Sequence, residues 1–511
     1  NAGKSTLFNQ LTNSHVYASG ITLETDTDAS QVGGFIGRAI DGGHQITNCS
    51  TNLNVNGASN VGGFIGYVLA NIDDAENTIN ISNSSATGNV ECSNRYCGGF
   101  IGTLGAYSII SDSSSTGDVT NNIGGYDHGG FFGRITGTGK ITTSYSTGDI
   151  NSNGTEVGGF GGSIEGEGDV TDSYVDNESI KGRNSIAGFI ADVHCFDFSI
   201  PDDEKCDIKR NYVKTTSIED YNDGLADEYV SAGFIRYVHT KNNGTQLNIE
   251  DNFTQFTTLK SKSYVGGFIE SLSVNGTASN STDEVNVKRN FVSSGTIERH
   301  TEGNASHWGG FIARTLNYTT NFQGTINIED NYTNVILDTS NFNTATPANG
   351  LGGFVGYHYA YANINYQNNY TNVSTVDGDD GIRYVGGFVG YISSAASGYN
   401  DPSFINNISA SSNITGSTHE SDYFIGYNTA VPVLTNNYYN SDGTCTGVGA
   451  CDGTQGGTGV TLASLQGNST NAPYDQWDFA SVWEIRAGQL PGLQCSSEGS
   501  TEFCTEWANA Q

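Results

Sequence analysis

The residues of this chain that could do chemistry are few and widely spaced. Asn1-Ala2-Gly3-Lys4-Ser5-Thr6-Leu7-Phe8-Asn9 has the Gly-Lys-Ser/Thr core of a phosphate-cradling loop. That chemistry needs an earlier glycine and a strand leading in, so that backbone amides surround the phosphates. Both would lie before Asn1, and no Asn-Lys-x-Asp base-reading motif follows. Residues 1–20 are therefore read as an N-terminal cap or a segment joined from elsewhere. Asp377-Gly378-Asp379-Asp380-Gly381 offers carboxylates and carbonyls to Ca²⁺, the only cofactor the chain suggests. The same residues are what a polar turn requires. Asp202, Asp203, Lys209 and Arg210 could flank a sugar chain as acid, base and cation, or line a solvated loop. Histidines form no His-Glu-x-x-His pattern, and no Gly-x-Ser-x-Gly elbow occurs. No catalytic, cofactor-binding or metal-ligating residue is assigned.

Cysteine spacing is more informative. Eight of the nine fall into near neighbours: Cys92 with Cys97, Cys195 with Cys206, Cys445 with Cys451, and Cys495 with Cys504. Each pair could staple a local loop in an oxidising compartment, whereas no C-x-x-C or Cys/His cluster supports a metal. Cys49 is left over and should fill a small buried site. Asn-x-Ser/Thr sequons are dense, and Asn243, Asn275, Asn280 and Asn304 are the loop-borne glycosylation candidates.

The elements that would carry these residues are repeats. Val32-Gly33-Gly34-Phe35-Ile36-Gly37 returns along the chain, and its phenylalanine is traced through Phe35, Phe64, Phe100, Phe131, Phe160, Phe189, Phe234, Phe268, Phe311, Phe354, Phe388 and Phe424. A second signature alternates with it, as in Ile46-Thr47-Asn48-Cys49-Ser50 and Ile328-Glu329-Asp330-Asn331-Tyr332. Short apolar alternations punctuated by Gly, Asn, Ser and Asp are strand and turn chemistry. The shortest spacing, 29 residues between Phe35 and Phe64, fits one coil of three strands. It is too short for a four-stranded propeller blade. The fold expected is all-β: a single-stranded parallel β-helix, or β-solenoid, of about twelve coils. The phenylalanines would form its core ladder. A second aromatic row (Tyr145, Tyr174, Tyr212, Phe253, Phe291, Tyr332, Tyr370) and an asparagine row (Asn211, Asn252, Asn290, Asn331, Asn369, Asn407, Asn437) would stack beside it.

These two alternating signatures resemble the GLUG-repeat proteins, found among microbial surface proteins and in the non-catalytic part of some IgA-peptidases. The resemblance covers about residues 30–440. It implies a right-handed, extracellular β-helix used in adhesion or surface display, with no shared catalytic residues.

Composition agrees with that setting. A formal net charge of −33 argues against nucleic acid and anionic membranes as partners. No apolar run is long enough to span a bilayer. The chain divides into residues 1–20, a solenoid over 21–440, and a Cys- and Trp-containing segment over 441–511. Insertions near 192–230, 270–286 and 338–350 should emerge on one face. Trp477, Trp483 and their neighbours should cap the open end of the solenoid, or plug a second copy. The expected role is a structural or adhesive protein at the cell surface, not an enzyme. It would self-associate into a glycosylated filament or array and have a glycan or cell-surface ligand. The alternative is a polysaccharide-processing lyase or hydrolase on the same scaffold.

Overall fold

The computed structural model describes residues 30–511 except 41–42, 71–77, 196–204, 221–229, 241–243, 275–282, 301–306, 317–323, 340–349, 361–362, 379–381, 395–400, 417–419, 447–450, 452–454 and 468–470, with the backbone of 17–18. Two compact units divide the chain: Asn1–Ala226 with Phe234–Arg236, and Asp227–Gly233 with Tyr237–Gln511. Both are built the same way. The architecture is the parallel, right-handed β-helix of about twelve coils anticipated above.

Each coil holds more strands than expected. The coil around Phe100 contains Ile79–Ser82, Ser85–Ala86, Val90–Cys92, Cys97–Gly98 and Ile101–Leu104. These five strands form four faces, because Ser85–Ala86 and Val90–Cys92 share one sheet. The expected three strands gave each bend too many residues. One residue in the left-handed region makes a bend here. Asn48, Asn83, Asp112, Asp172, Asp251 and Asp330 all sit at φ between 47° and 57°, between the first and second faces. Asn and Asp tolerate that region better than other residues with a Cβ.

Between the third and fourth faces lies the Gly-Gly-Phe corner. The Phe64 carbonyl accepts both the Phe35 N–H (2.9 Å) and the Ile36 N–H (3.0 Å), and the pattern repeats coil after coil. This turns the chain inward and stacks the rings. Centroids are 4.8–5.0 Å apart from Phe35 to Phe234 in the first unit. They are 4.7–4.9 Å apart from Phe268 to Phe424 in the second. From Phe64 to Phe424 the rings are fully buried.

The asparagine row is also internal. Asn290, Asn331, Asn369 and Asn407 each send a backbone N–H to the next coil's side-chain oxygen at 2.9–3.0 Å. Their amide N–H groups donate to core carbonyls at 2.7–2.9 Å. Buried amides satisfied in this way stabilise the coil, whereas an unpaired one would cost 1–3 kcal/mol, an order-of-magnitude figure. Ser84, Ser113, Ser144 and Ser173 fill the row in the first unit. The sequon asparagines Asn252, Asn331, Asn369 and Asn407 are therefore closed to a glycan.

Three expectations change. Tyr17–Ala18 is already a strand, paired with Ser50–Thr51, so part of the 1–20 segment belongs to the solenoid. Extra residues enter at two corners, not one: 196–204 and 275–282 join fourth-face to first-face strands, whereas 221–229 and 340–349 join second to third. The third change, to the tryptophan segment, concerns the candidate sites.

Candidate functional site

In the first unit, a cleft of about 440 Å³ crosses the first face. Tyr107, Lys140, Glu167, Asp169, Lys205 and Asp207 line it. The parallel register sets Lys140 beside Asp169 on neighbouring strands, and their charges meet at 2.7 Å. The Asp207 backbone N–H donates to Asp169 at 3.0 Å, and Lys209 reaches the Asp207 carboxylate at 3.1 Å. Carboxylates and lysines on adjacent coils can hold the hydroxyls of a sugar chain. Arg210 is elsewhere, bidentate to Asp172 at 2.7 and 2.8 Å. Lys209 and Arg210 therefore serve neighbouring carboxylates, and Asp202 and Asp203 lie outside the described residues.

The second unit carries the tryptophan segment, which runs along its flank. Tyr332 and Tyr370 stack at 4.8 Å on the outside of the second face, with Phe253 and Phe291 below them. Trp507 meets the edges of Phe253 and Phe291, at 5.9 and 4.7 Å. Trp483 lies 6.4 Å from Tyr332 and 5.8 Å from Tyr370. Its indole N–H donates to Asp330 at 3.0 Å, and the Tyr370 hydroxyl donates to the Pro491 carbonyl at 2.8 Å. The reason is the outward aromatic row, whose apolar rings need cover. Tyr145 and Tyr174 of the first unit, in the same row, remain half-buried. The segment is itself braced by the Cys495–Cys504 disulfide and the helix Thr501–Ala510, capped by Ser500.

Truncating an anchor should release this segment. Trp507→Ala removes a fully buried indole, a loss of about 3–5 kcal/mol. Limited proteolysis is expected to cut between 461 and 511 much faster in the variant, with the solenoid's circular dichroism retained. Unchanged cleavage would show that Trp507 does not hold the segment down.

At the end of the second unit, Gly456 and Gly457 lie over Phe424, and Thr458–Val460 pairs with Tyr438–Asn440. The glycine-rich stretch therefore covers part of the end that the tryptophans were expected to cap. The last first-face strand, Val433–Thr435, pairs with Ser403–Ile405 and has no strand beyond it among the described residues. Val431, Val433 and Leu434 are 78, 54 and 39 % exposed there.

All four cysteine pairs are bonded, with Cα separations of 6.4 Å (Cys92–Cys97), 6.3 Å (Cys195–Cys206), 5.7 Å (Cys445–Cys451) and 5.6 Å (Cys495–Cys504). Cys49 is free and buried, and desolvation raises its thiol pKa. Beside Cys92 and Cys97 lies His128, a buried imidazole not singled out from the sequence. Its signal was the repeat itself, since His128 occupies in the next coil the position of Cys97. Asn243, Asn275, Asn280 and Asn304 lie outside the described residues, as does the Asn1–Asn9 segment. Of the Ca²⁺ candidate, Asp377 and Gly378 end the strand Thr375–Gly378, and 379–381 lie outside the described residues. No helix among the described residues is long and apolar enough to cross a membrane.

Fold and surface together define a parallel β-solenoid. The GLUG motif family matches residues 57–91 and 93–120, two successive coils of the first unit. The matched coils carry the GLUG motif within a β-helix, and the same Gly-Gly-Phe corner recurs along the chain to Phe388. No curated protein and no solved structure matches it.

Proposed function

We propose that this protein is an extracellular structural and adhesive surface protein whose copies associate end to end. The observation that carries this reading is the strand Val433–Thr435, which has no strand beyond it among the described residues, with Val431, Val433 and Leu434 exposed along it. An open parallel edge with apolar side chains is a template for another chain's strand. The complementary element on a second copy is Gln45–Thr47, the first described strand of the same face. Such a contact is head-to-tail and does not close on itself, so it builds filaments. The four disulfides suit an oxidising, secreted setting. Glycans on Asn243, Asn275, Asn280 or Asn304 would decorate the filament.

With a net charge of −33, copies repel one another at low salt, and screening should favour assembly. Sedimentation and electron microscopy of the unreduced protein are expected to show longer polymers as NaCl rises. Val433→Lys with Leu434→Lys should abolish them. Polymers that persist in the double variant would remove this end as the contact.

The cleft favours a second reading, a polysaccharide-processing enzyme. Lys140, Glu167 and Asp169 would hold the sugar, with the carboxylates available for proton transfer. Release of reducing ends from a panel of polysaccharides, lost in Asp169→Asn and Glu167→Gln, would support it. Binding without cleavage would assign the cleft to adhesion.

A further inference from the structure

We propose that the Cys92–Cys97 loop is a redox-gated zinc site. When the disulfide is reduced, Zn²⁺ binds Cys92 Sγ, Cys97 Sγ and the His128 imidazole.

The donors are already assembled. The two sulfurs and a ring nitrogen of His128 lie within 4.8 Å of one another, the only group of three such residues among those described. Neighbouring strands fix them, because Cys97 pairs with His128 and Cys92 with Asn121. All three side chains are almost fully buried: Cys92 is 2 % exposed, and Cys97 and His128 are 0 %. Two thiolates and one imidazole make a common zinc set, with a carbonyl or water as fourth ligand. The Asn94 carbonyl, inside the disulfide loop, already lies 2.8 Å from His128 Nε2.

The surroundings orient the ring as an outer shell would. Ser152 Oγ is 2.5 Å from Nδ1, and Asn121 Nδ2 is 3.2 Å from Nε2 and 3.7 Å from Cys92 Sγ. Partners of this kind fix the ring position and strengthen the ligand. The loop tip gives access, since Asn94 and Arg95 are exposed.

The chemistry balances with an external thiol or phosphine as reductant. The S–S bond takes two electrons and two protons to give two thiols. Zn²⁺ then displaces both thiol protons as two Zn–S bonds form. A small-molecule disulfide as oxidant reverses the exchange: it takes the two electrons from the sulfurs and is itself reduced to two thiols, the Cys92–Cys97 bond reforms and Zn²⁺ leaves. Disulfide and zinc are thus alternative staples for one loop.

The other three pairs are internal controls, because no third ligand joins them among the described residues. The full chain is reduced with a phosphine, desalted without oxygen, and alkylated with and without Zn²⁺. Mass mapping is expected to show Cys92 and Cys97 protected at least tenfold by Zn²⁺, and the other six disulfide cysteines unprotected. Co²⁺ in place of Zn²⁺ should give one thiolate charge-transfer band per chain, absent from the oxidised protein. His128→Gln should weaken Co²⁺ binding at least tenfold. Equal alkylation of Cys92 and Cys97 with and without Zn²⁺ overturns the proposal, whatever the fold of the reduced chain. So does a charge-transfer band that survives in Cys92→Ser/Cys97→Ser.

Discussion

Gly99→Ala is expected to leave the first unit unable to reach its native fold, whereas Gly98→Ala one residue earlier should be far milder. The two glycines of the corner differ in what a Cβ would strike. At Gly99 it would fall on the Gly130 carbonyl of the next coil and on the Ser115 hydroxyl. The coil spacing is set by hydrogen bonds on every face, so that carbonyl cannot retreat alone. At Gly98 the hardest conflict, with the Ile101 carbonyl, is within the corner, and the Phe131 carbonyl and Phe132 Cα of the next coil are met less closely, at 2.7 Å, than Gly130 is from Gly99. The chain itself performs this comparison. Ala187 and Ala232 occupy the first position in two coils. The second position is glycine throughout, except Tyr423 in the last coil, where no Gly-Gly-Phe corner follows. We expect a loss of about 4 kcal/mol or more for Gly99→Ala, and about 1–2 kcal/mol for Gly98→Ala. Thermal melting of both variants checks this, and equal losses would refute it.

Acid should destabilise the second unit through two buried histidines. Burial lowers His358 to about 3, and burial with the Arg314 charge lowers His307 to about 3. An unfolded chain binds these protons near pH 6.5, roughly, and the folded chain does not. Stability from this source is therefore complete above that pH and is lost as pH falls. At pH 5 the two histidines together cost about 4 kcal/mol. Asp330 acts in the opposite sense. Burial pushes its pKa up to about 6, although Trp483 and Asn368 hydrogen bonds oppose the rise. It keeps its proton where the unfolded chain has lost it, returning about 1.4 kcal/mol at pH 5. The net loss of about 3 kcal/mol should lower the melting temperature by about 5–10 °C between pH 7.5 and 5. The double variant His307→Gln/His358→Gln should flatten that slope. A slope parallel to the wild type would mean that other groups control it.

The repeat was legible because a core ladder needs the same ring once per coil, and Phe35 to Phe424 supply it. Strand number was not, since a bend of one left-handed residue such as Asn83 leaves no separate loop in the sequence. The aromatic row from Phe253 to Tyr370 was visible as a row, but its outward direction was not. Asn331 points in and Tyr332 points out, and only the three-dimensional coil distinguishes them. Without that direction, the sequence offers the tryptophans no flank to cover, and the open end is the apolar surface it leaves for them. His128 and the Lys140–Asp169 cleft were missed for one shared reason. Both join residues a full coil apart, and such pairs emerge only when the repeats are aligned face by face.

The flanking segment also has a mechanical meaning. A solenoid pulled from its two ends peels one coil at a time, because each coil is held only by its neighbours. The tryptophans lie across the coils of Phe253, Phe291, Tyr332 and Tyr370, as a splint lies across a fracture. Coils beyond the splint should yield in single steps of roughly 100–150 Å of released chain, at about 3.4 Å per residue. The splinted coils should hold to higher force and then give way together, releasing roughly 500 Å at once. That block would be the last part of the second unit to lengthen under load.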